Sequence, residues 1–435
     1  MLFREEICKN LVENYLFKMK RFIKKLHLWL SIPLGVLITI ICLSGAILVF
    51  RAEIEDVIYK DLIFTKENNG EKLAVEKLLP IVSEQIKDDQ VMGVTVSSDP
   101  KRNYSVSIAS NMRTAVYVNP YTGEVLGKME GGFFTKMLHL HRWLLIKREV
   151  GKPIVGYTTL IFVFILITGI VIIIPKTRKQ LKRIFSIKVT KGWKRFWCDL
   201  HVSGGNILFI GLLVLALTGL TWSFQWYRKP FYALFGVDIT QQQPNTQQQQ
   251  RERTSQNNNV SEGNSQAIKE RGERPQRNEG ERSTNSERSQ QAQRQNQQGG
   301  GEGQQRRRET LNVTHWDNVL AYIQAENPNY KRISINNNSV MVTQNKTWGN
   351  SRATDRYSFD VETGEITEYQ PYKDQERTMK VRGWVYSVHV GSWGGWFSRI
   401  ITCIIALVGA SLPITGYYLW IKRLNAKRKK GNREK

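Results

Sequence analysis

Four stretches of about 20 residues without a charged side chain, Leu28–Phe50, Ile154–Ile174, Ile207–Trp226 and Ile400–Ile421, constrain this chain more than any other feature. Each is long enough to cross a hydrocarbon core about 30 Å thick as a helix. The remainder is polar. Only 41% of the 435 residues are hydrophobic, and the mean hydropathy is −0.37. The expectation is four membrane spans joined by water-exposed segments, two of them large enough to fold.

Lysine and arginine crowd one set of span ends. Lys18–Lys25 holds five, Lys176–Arg195 nine and Lys422–Lys435 eight. Four crossings bring all three to one side, which the positive-inside bias makes the cytoplasm, with both termini there. The net charge of +25 then reports topology, so the lipid bilayer is an expected partner and nucleic acid is not. The first apolar run is too long for a cleaved signal and shows no small-x-small site before Arg51, so it reads as a retained anchor, with Met19 as an alternative start. Cys8 and Cys198 fall on the cytoplasmic side and Cys42 and Cys403 within spans. No disulfide is expected outside, and no Cys-x-x-Cys-His offers covalent haem attachment.

The chain reads as an internal duplication of span, outer domain, span. His27 precedes Gly45 of the Ser44-Gly45 pair by 18 residues, and His201 precedes Gly219 of Thr218-Gly219 by the same 18. Thr168-Gly169 and Thr415-Gly416 stand near the inner ends of the returning spans, with His141 28 residues before Gly169 and His389 27 before Gly416. Each outer segment reads as a small α+β unit. The first has a helix near 72–86, strands at 91–97, 103–109 and 113–118, and a turn at Asn119–Glu124. The second has a helix opening at Thr314, a plausible N-cap, strands at 330–335, 339–343 and 355–361, and a turn at Glu362–Glu365.

The resulting map is a cytoplasmic N terminus (1–25), first span (26–50), outer domain (51–137), second span with its outer approach (138–175), cytoplasmic loop (176–200) and third span (201–226). An aromatic segment (227–239) follows, suited to the interface or to a simple helix exit. Residues 240–309, rich in Gln and Asn and nearly without apolar side chains, are expected to be disordered. The second outer domain (310–385), the fourth span with its approach (386–421) and a basic tail (422–435) complete it.

The turns Val-Asn-Pro-Tyr-Thr-Gly-Glu-Val-Leu (118–126) and Phe-Asp-Val-Glu-Thr-Gly-Glu-Ile (359–366) resemble the end of PepSY domains. The stretches Leu-His-Arg-Trp-Leu-Leu (140–145) and Val-His-Val-Gly-Ser-Trp-Gly-Gly (388–395) resemble those of the PepSY-associated transmembrane family. That family includes iron-regulated inner-membrane proteins and ferric-siderophore reductases. The resemblance implies a bacterial inner membrane with PepSY-like domains in the periplasm. Unlike longer members, this chain carries no Gly-x-Gly-x-x-Gly and no flavin or nicotinamide domain after the fourth span.

Five of six histidines flank the spans. His27 and His201 lie at the inner ends, and His139, His141 and His389 at the outer ends. Ionisable groups at such positions are functional candidates with partners to be named. Neutral imidazole ligates haem iron, and a helical bundle can hold haem between facing helices. The expectation is two haem b groups, one held by His27 and His201 and one by His141 and His389. His139 is an alternative outer ligand, whereas His141 fits the family's His-Arg-x-Leu-Leu pattern. Eighteen residues make five helical turns, so His27 and Gly45 share a face, and the glycine is read as leaving room beside the outer haem. Gly204, Gly205, Gly391, Gly394 and Gly395 are read in the same way. The alternative is that the histidines sit at headgroup level like Trp29, Trp143 and Trp393, with glycines that only tighten packing. His315 reads as a surface residue.

These readings favour a membrane oxidoreductase, a di-haem carrier that takes electrons from a cytoplasmic flavoprotein or a quinol. The resemblance implies a ferric siderophore or other ferric chelate as acceptor. The rival is a membrane-anchored PepSY protein that binds or regulates envelope peptidases without redox activity. It leaves the paired histidines unexplained. Acidic residues are absent from the four cores, which argues against an ion-coupled transporter.

Overall fold

The computed structural model describes residues 2–66, 70–86, 89–110, 115–129, 132–175, 177–188, 190–239, 311–345 and 348–432. The insert expected at 240–309 lies outside the described residues. In chain order the helices begin with α1 (Leu2–Val49), α2 (Arg51–Ile58), α3 (Lys60–Ile63), α4 (Val75–Gln85), α5 (Phe133–Trp143) and α6 (Arg148–Ile173). Next come α7 (Arg178–Ile184), α8 (Trp193–Asp199), a π-helical turn over Leu200–Gly204, α9 (Gly205–Ile207), α10 (Phe209–Ser223) and α11 (Gln225–Ala233). The last are α12 (Trp316–Glu326), α13 (Arg377–His389) and α14 (Gly395–Gly431). The strands are β1 (Val91–Ser97), β2 (Tyr104–Ile108), β3 (Ala115–Val118), β4 (Val125–Lys128), β5 (Tyr330–Asn336), β6 (Ser339–Gln344), β7 (Thr354–Phe359) and β8 (Ile366–Gln370).

Among the described residues, three helices have the length and apolarity to cross a bilayer: Phe17–Val49 of α1, Arg148–Ile173 and Gly395–Ala426 of α14. Trp193–Ile207 and Phe209–Ser223 make a fourth crossing only if taken together, and they meet at a bend of 65°. The third span, expected to be one continuous helix over 201–226, is therefore broken. A π turn widens the backbone at Leu200–Gly204, and Leu208 leaves the helical region at φ −97° and ψ 8°. At the far end Phe224 turns extended, which starts α11 as a separate short helix. α1 packs on α14 and α6, and α10 on α6. Their shared apolar core includes Ile38, Phe162, Leu166, Leu212, Leu220 and Ile405.

The histidine-bearing approaches are also separate from the spans they precede. Leu144 and Leu145 adopt left-handed backbone at φ 57° and 59°, which stops α5 before α6 begins. Such a conformation is uncommon for leucine and costs on the order of 1–3 kcal/mol per residue, so surrounding packing must hold it. Between α13 and α14, Gly391 and Gly395 take positive φ with less strain.

The segments between the apolar helices depart most from expectation. Rather than two separate units, they form one eight-stranded antiparallel sheet in the order β4-β3-β2-β1-β5-β6-β7-β8. β1 pairs with β5 from Gly93↔Asn336 to Ser97↔Arg332. Gly93 is required at this seam, since a Cβ there would stand 1.9 Å from Asn336 Oδ1 and 2.3 Å from the Ile335 carbonyl. α4 and α12 cover one face. Val82, Val94, Val106, Val118, Trp316, Ile323, Ile333 and Val342 all belong to a single buried core there.

The two helices hold each other's ends. Asp317 of α12 accepts hydrogen bonds from the backbone N–H of Val75 (2.8 Å) and Glu76 (2.9 Å), while the Asp317 N–H donates to Glu76 (3.3 Å). Thr314, expected as an N-cap, instead donates to Asn312 Oδ1 at 2.7 Å, and His315 occupies the capping position without a side-chain bond. The two expected turns share one geometry. Asn119 and Asp360 each accept an N–H two residues on (2.9 and 2.8 Å), and Gly123 and Gly364 both sit at φ 73°.

Candidate functional site

Four imidazoles are fixed in one way. At the basic end, His27 of α1 places Nδ1 3.1 Å from the Ile165 carbonyl and 3.0 Å from Thr168 Oγ1. His201, in the π turn, places Nδ1 3.0 Å from the Leu412 carbonyl and 3.0 Å from Thr415 Oγ1. At the sheet-side end, His141 of α5 meets the Ile41 carbonyl at 2.8 Å and Ser44 Oγ at 3.3 Å. His389 of α13 meets Thr218 Oγ1 at 2.9 Å and the Leu215 carbonyl.

A carbonyl oxygen can only accept, so in each ring Nδ1 carries the proton and donates. The hydroxyls are oriented to accept as well: Thr218 Oγ1 donates its own proton to Val214 O at 2.7 Å, and Thr168 Oγ1 donates to Ile165 O at 2.9 Å. Proton placement at Nδ1 leaves Nε2 as a bare lone pair, and none of the four makes a hydrogen bond there among the described residues. This is the tautomer in which a histidine can ligate a metal through Nε2, with its other nitrogen held by an outer partner.

The neighbouring glycines explain how the rings fit. A Cβ on Gly45 would stand 3.0 Å from His141 Cε1, on Gly169 3.4 Å from His27, on Gly219 3.2 Å from His389 and on Gly416 3.3 Å from His201. Each (Ser/Thr)-Gly pair thus supplies a hydroxyl to Nδ1 and an open backbone edge for Cε1. The room expected beside a macrocycle at Gly45 is taken up by the His141 ring itself. Gly204 and Gly205 face Leu200, Val408 and Leu412, and Gly391 and Gly394 face Thr402, Ser398 and Trp348. Those glycines permit close protein packing.

The sheet-side rings stand together, His141 and His389 having centroids 6.2 Å apart at 49°. Trp222 also packs on His389, with ring centroids 5.1 Å apart. His27 and His201 lie near enough for their charges to interact. His139 is turned away: its ring lies 4.5 Å from that of Trp143. His315 packs against Gly364 in the turn before β8.

Among the described residues, no group of three or more His, Cys, Asp or Glu comes together as a metal site. Each end therefore offers two imidazoles, and a metal bound there must bring its remaining ligands with it, as haem iron does. Two imidazoles bonded to one metal at about 2 Å through Nε2 bring their ring centres roughly 6 Å apart. The outer pair meets that spacing. Ser44, Thr168, Thr218 and Thr415 were visible in the sequence only as companions of glycine; their role at Nδ1 needed the fold.

The family model of the PepSY-associated TM region matches residues 24–423. No curated protein matches the chain.

Proposed function

The chain belongs to the PepSY-associated transmembrane family, and from that premise we propose that it is a di-haem membrane oxidoreductase that passes electrons across the bilayer to a ferric chelate. The observation that carries this reading is the set of four imidazoles, each with Nδ1 donated to a carbonyl or hydroxyl and Nε2 free, arranged as one pair at each end of the helices. Haem b, when bound, supplies a one-electron couple at each end.

The chain's own residues do the rest. His27 and His201 hold the inner group, and His141 and His389 the outer one. Their hydroxyl and carbonyl partners fix ring orientation and raise the basicity of Nε2. Along α1 the two levels are marked by His27 and Gly45, 18 residues and about 27 Å apart. Ile38, Phe162 and Leu212 fill the interval and exclude water. A quinol or a cytoplasmic flavoprotein would load the inner pair, and a ferric siderophore or other ferric chelate would unload the outer pair. Iron(II) binds hard oxygen chelators less well than iron(III), so reduction serves release. The matching turn geometry and the strand order, mirrored about β1 and β5, support reading the chain as a duplication.

Purification from a haem-replete host tests the proposal. The expected result is a red protein with about two haems per chain, reducible by dithionite and reoxidised by ferric chelate. A colourless protein would overturn it.

A further inference from the structure

The helices that surround His141 and His389 carry an unusual charge. Between them α5, α6, α11 and α13 hold nine lysines and arginines against one carboxylate, Glu149. These residues lie on the sheet side, where the positive-inside bias gives no reason for them. Several converge. Arg142, Arg148 and Arg228 are close enough to Lys152 for their charges to act on it, and Arg228 and Arg382 act likewise on the Tyr232 hydroxyl. Arg228, from α11, is thus the point where the cations of the two ligand-bearing helices meet. Arg148, Lys152, Arg228 and Arg382 form no ion pair among the described residues. The Nε of Arg228 is buried with no hydrogen-bond partner among the described residues. A buried guanidinium N–H left unsatisfied among like charges is costly unless an anion completes it.

We propose that this cationic rim, centred on Arg228 and Lys152, is the docking site of the ferric substrate, and that the substrate class is ferric chelates with net negative charge. The inference rests on the electron-transfer reading above. In the step itself one electron would pass from a reduced haem held by His141 and His389 to the chelated iron(III), giving iron(II) and leaving that haem oxidised. No bond forms or breaks, and the quinol or flavin donor upstream supplies the electron. Anionic phospholipid headgroups share the same chemistry, and the test separates the two.

Full-length protein in nanodiscs of zwitterionic phosphatidylcholine is reduced with dithionite and mixed in a stopped-flow instrument with net-negative ferric EDTA or with net-positive hexaammineruthenium(III), an acceptor of similar potential. Ferric EDTA is expected to reoxidise the protein about tenfold faster or more, with the advantage collapsing as salt is raised. In Arg228→Gln/Lys152→Gln the ratio of the two rates should fall about tenfold, and Arg228→Lys should restore much of it. The haem spectrum reports whether each variant is folded, and the salt dependence of the unaltered protein needs no variant. A reducible protein that is indifferent to acceptor charge overturns this inference alone, whereas a colourless one overturns the parent reading with it. If the double variant loses co-purified phospholipid phosphorus while its rate ratio is unchanged, the rim holds lipid and the chelate proposal fails.

Discussion

Gly45 abuts the imidazole of His141: a Cβ there would stand 3.0 Å from Cε1, while the adjacent Ser44 Oγ lies 3.3 Å from Nδ1. The same contact recurs between Gly219 and His389, so both outer rings are seated against glycine backbone.

A branched side chain at either glycine must therefore displace a ring. Gly219→Val is expected to remove the outer haem and leave the inner one, so the haem content falls to about half. Gly416→Val, whose Cβ would stand 3.3 Å from His201 Cε1, is expected to do the reverse. Pyridine haemochrome assay with optical redox titration measures both. Full haem content with unchanged potentials in both variants would remove the glycines from the site.

The cross-cap between Asp317 and α4 makes a second test. Asp317→Ala strips the acceptor from the Val75 and Glu76 N–H groups, a loss of about 1–2 kcal/mol at that helix end. Hydrogen exchange at those two amides should accelerate roughly tenfold, with the haem spectrum unaltered. Unchanged protection would show that the cap is not what holds the end of α4.

Much of this architecture was legible before folding because its signals are local or rare. Charge-free runs of membrane length mark the helices, and six histidines in 435 residues make symmetric placement noticeable. The fused sheet was not legible, since β1 and β5 meet across more than 200 residues of sequence and nothing in either strand names its neighbour. β4 and β8 escaped notice because neither has a buried residue and thus no alternation to read. The break at Leu208 falls in an unbroken apolar run, where composition reports length and not continuity. The hydroxyl partners of Nδ1 were hidden for a related reason. Thr218 is visible beside Gly219, but only the packing of α13 against α10 shows that it faces His389.

A pH dependence follows from Glu53, which pairs with Arg399 at the start of α14. Burial works against its charge, but the hydrogen bonds and charge of Arg399, its own backbone N–H and the charge of Lys331 together outweigh it and hold the carboxyl below its usual range. A depressed folded pKa contributes stability that is present above the unfolded value and lost as pH falls through the folded one. The pair is partly exposed, so its contribution is about 0.5–1 kcal/mol after screening. The melting temperature of the unaltered protein should exceed that of Glu53→Gln at pH 7, and the two should converge below about pH 4. A gap that persists into acid would show that the carboxylate charge is not responsible.

Orientation is open to a direct readout. The exposed turn at Asn337-Asn338 joins β5 to β6 near the middle of the strand order, and the chain end follows a run of eight lysines and arginines after Ile421. Phosphatase fused into that turn should be active and fluorescent protein fused at the C terminus should fluoresce, as expected for an outside sheet and an inside tail. The opposite pattern would invert the topology and exchange the inner and outer haem.

The sharpest expectation concerns pairing. His141 and His389 stand 6.2 Å apart, whereas His27 lies about 27 Å along α1 from the level of His141, so ligands at opposite ends cannot share one iron. His141→Ala and His389→Ala should each abolish the same outer haem, and His27→Ala and His201→Ala the same inner one. Each single variant keeps about one haem of two, the His27/His201 double variant resembles either single, and a His27/His389 double variant keeps none. His139→Ala should retain both, because its ring packs on Trp143 and not on His389. Redox potentiometry distinguishes the two haems by midpoint. If His27→Ala and His201→Ala removed haems of different midpoint, the assignment of one ligand from each half to each face would be wrong, although electron transfer itself could survive through other pairings.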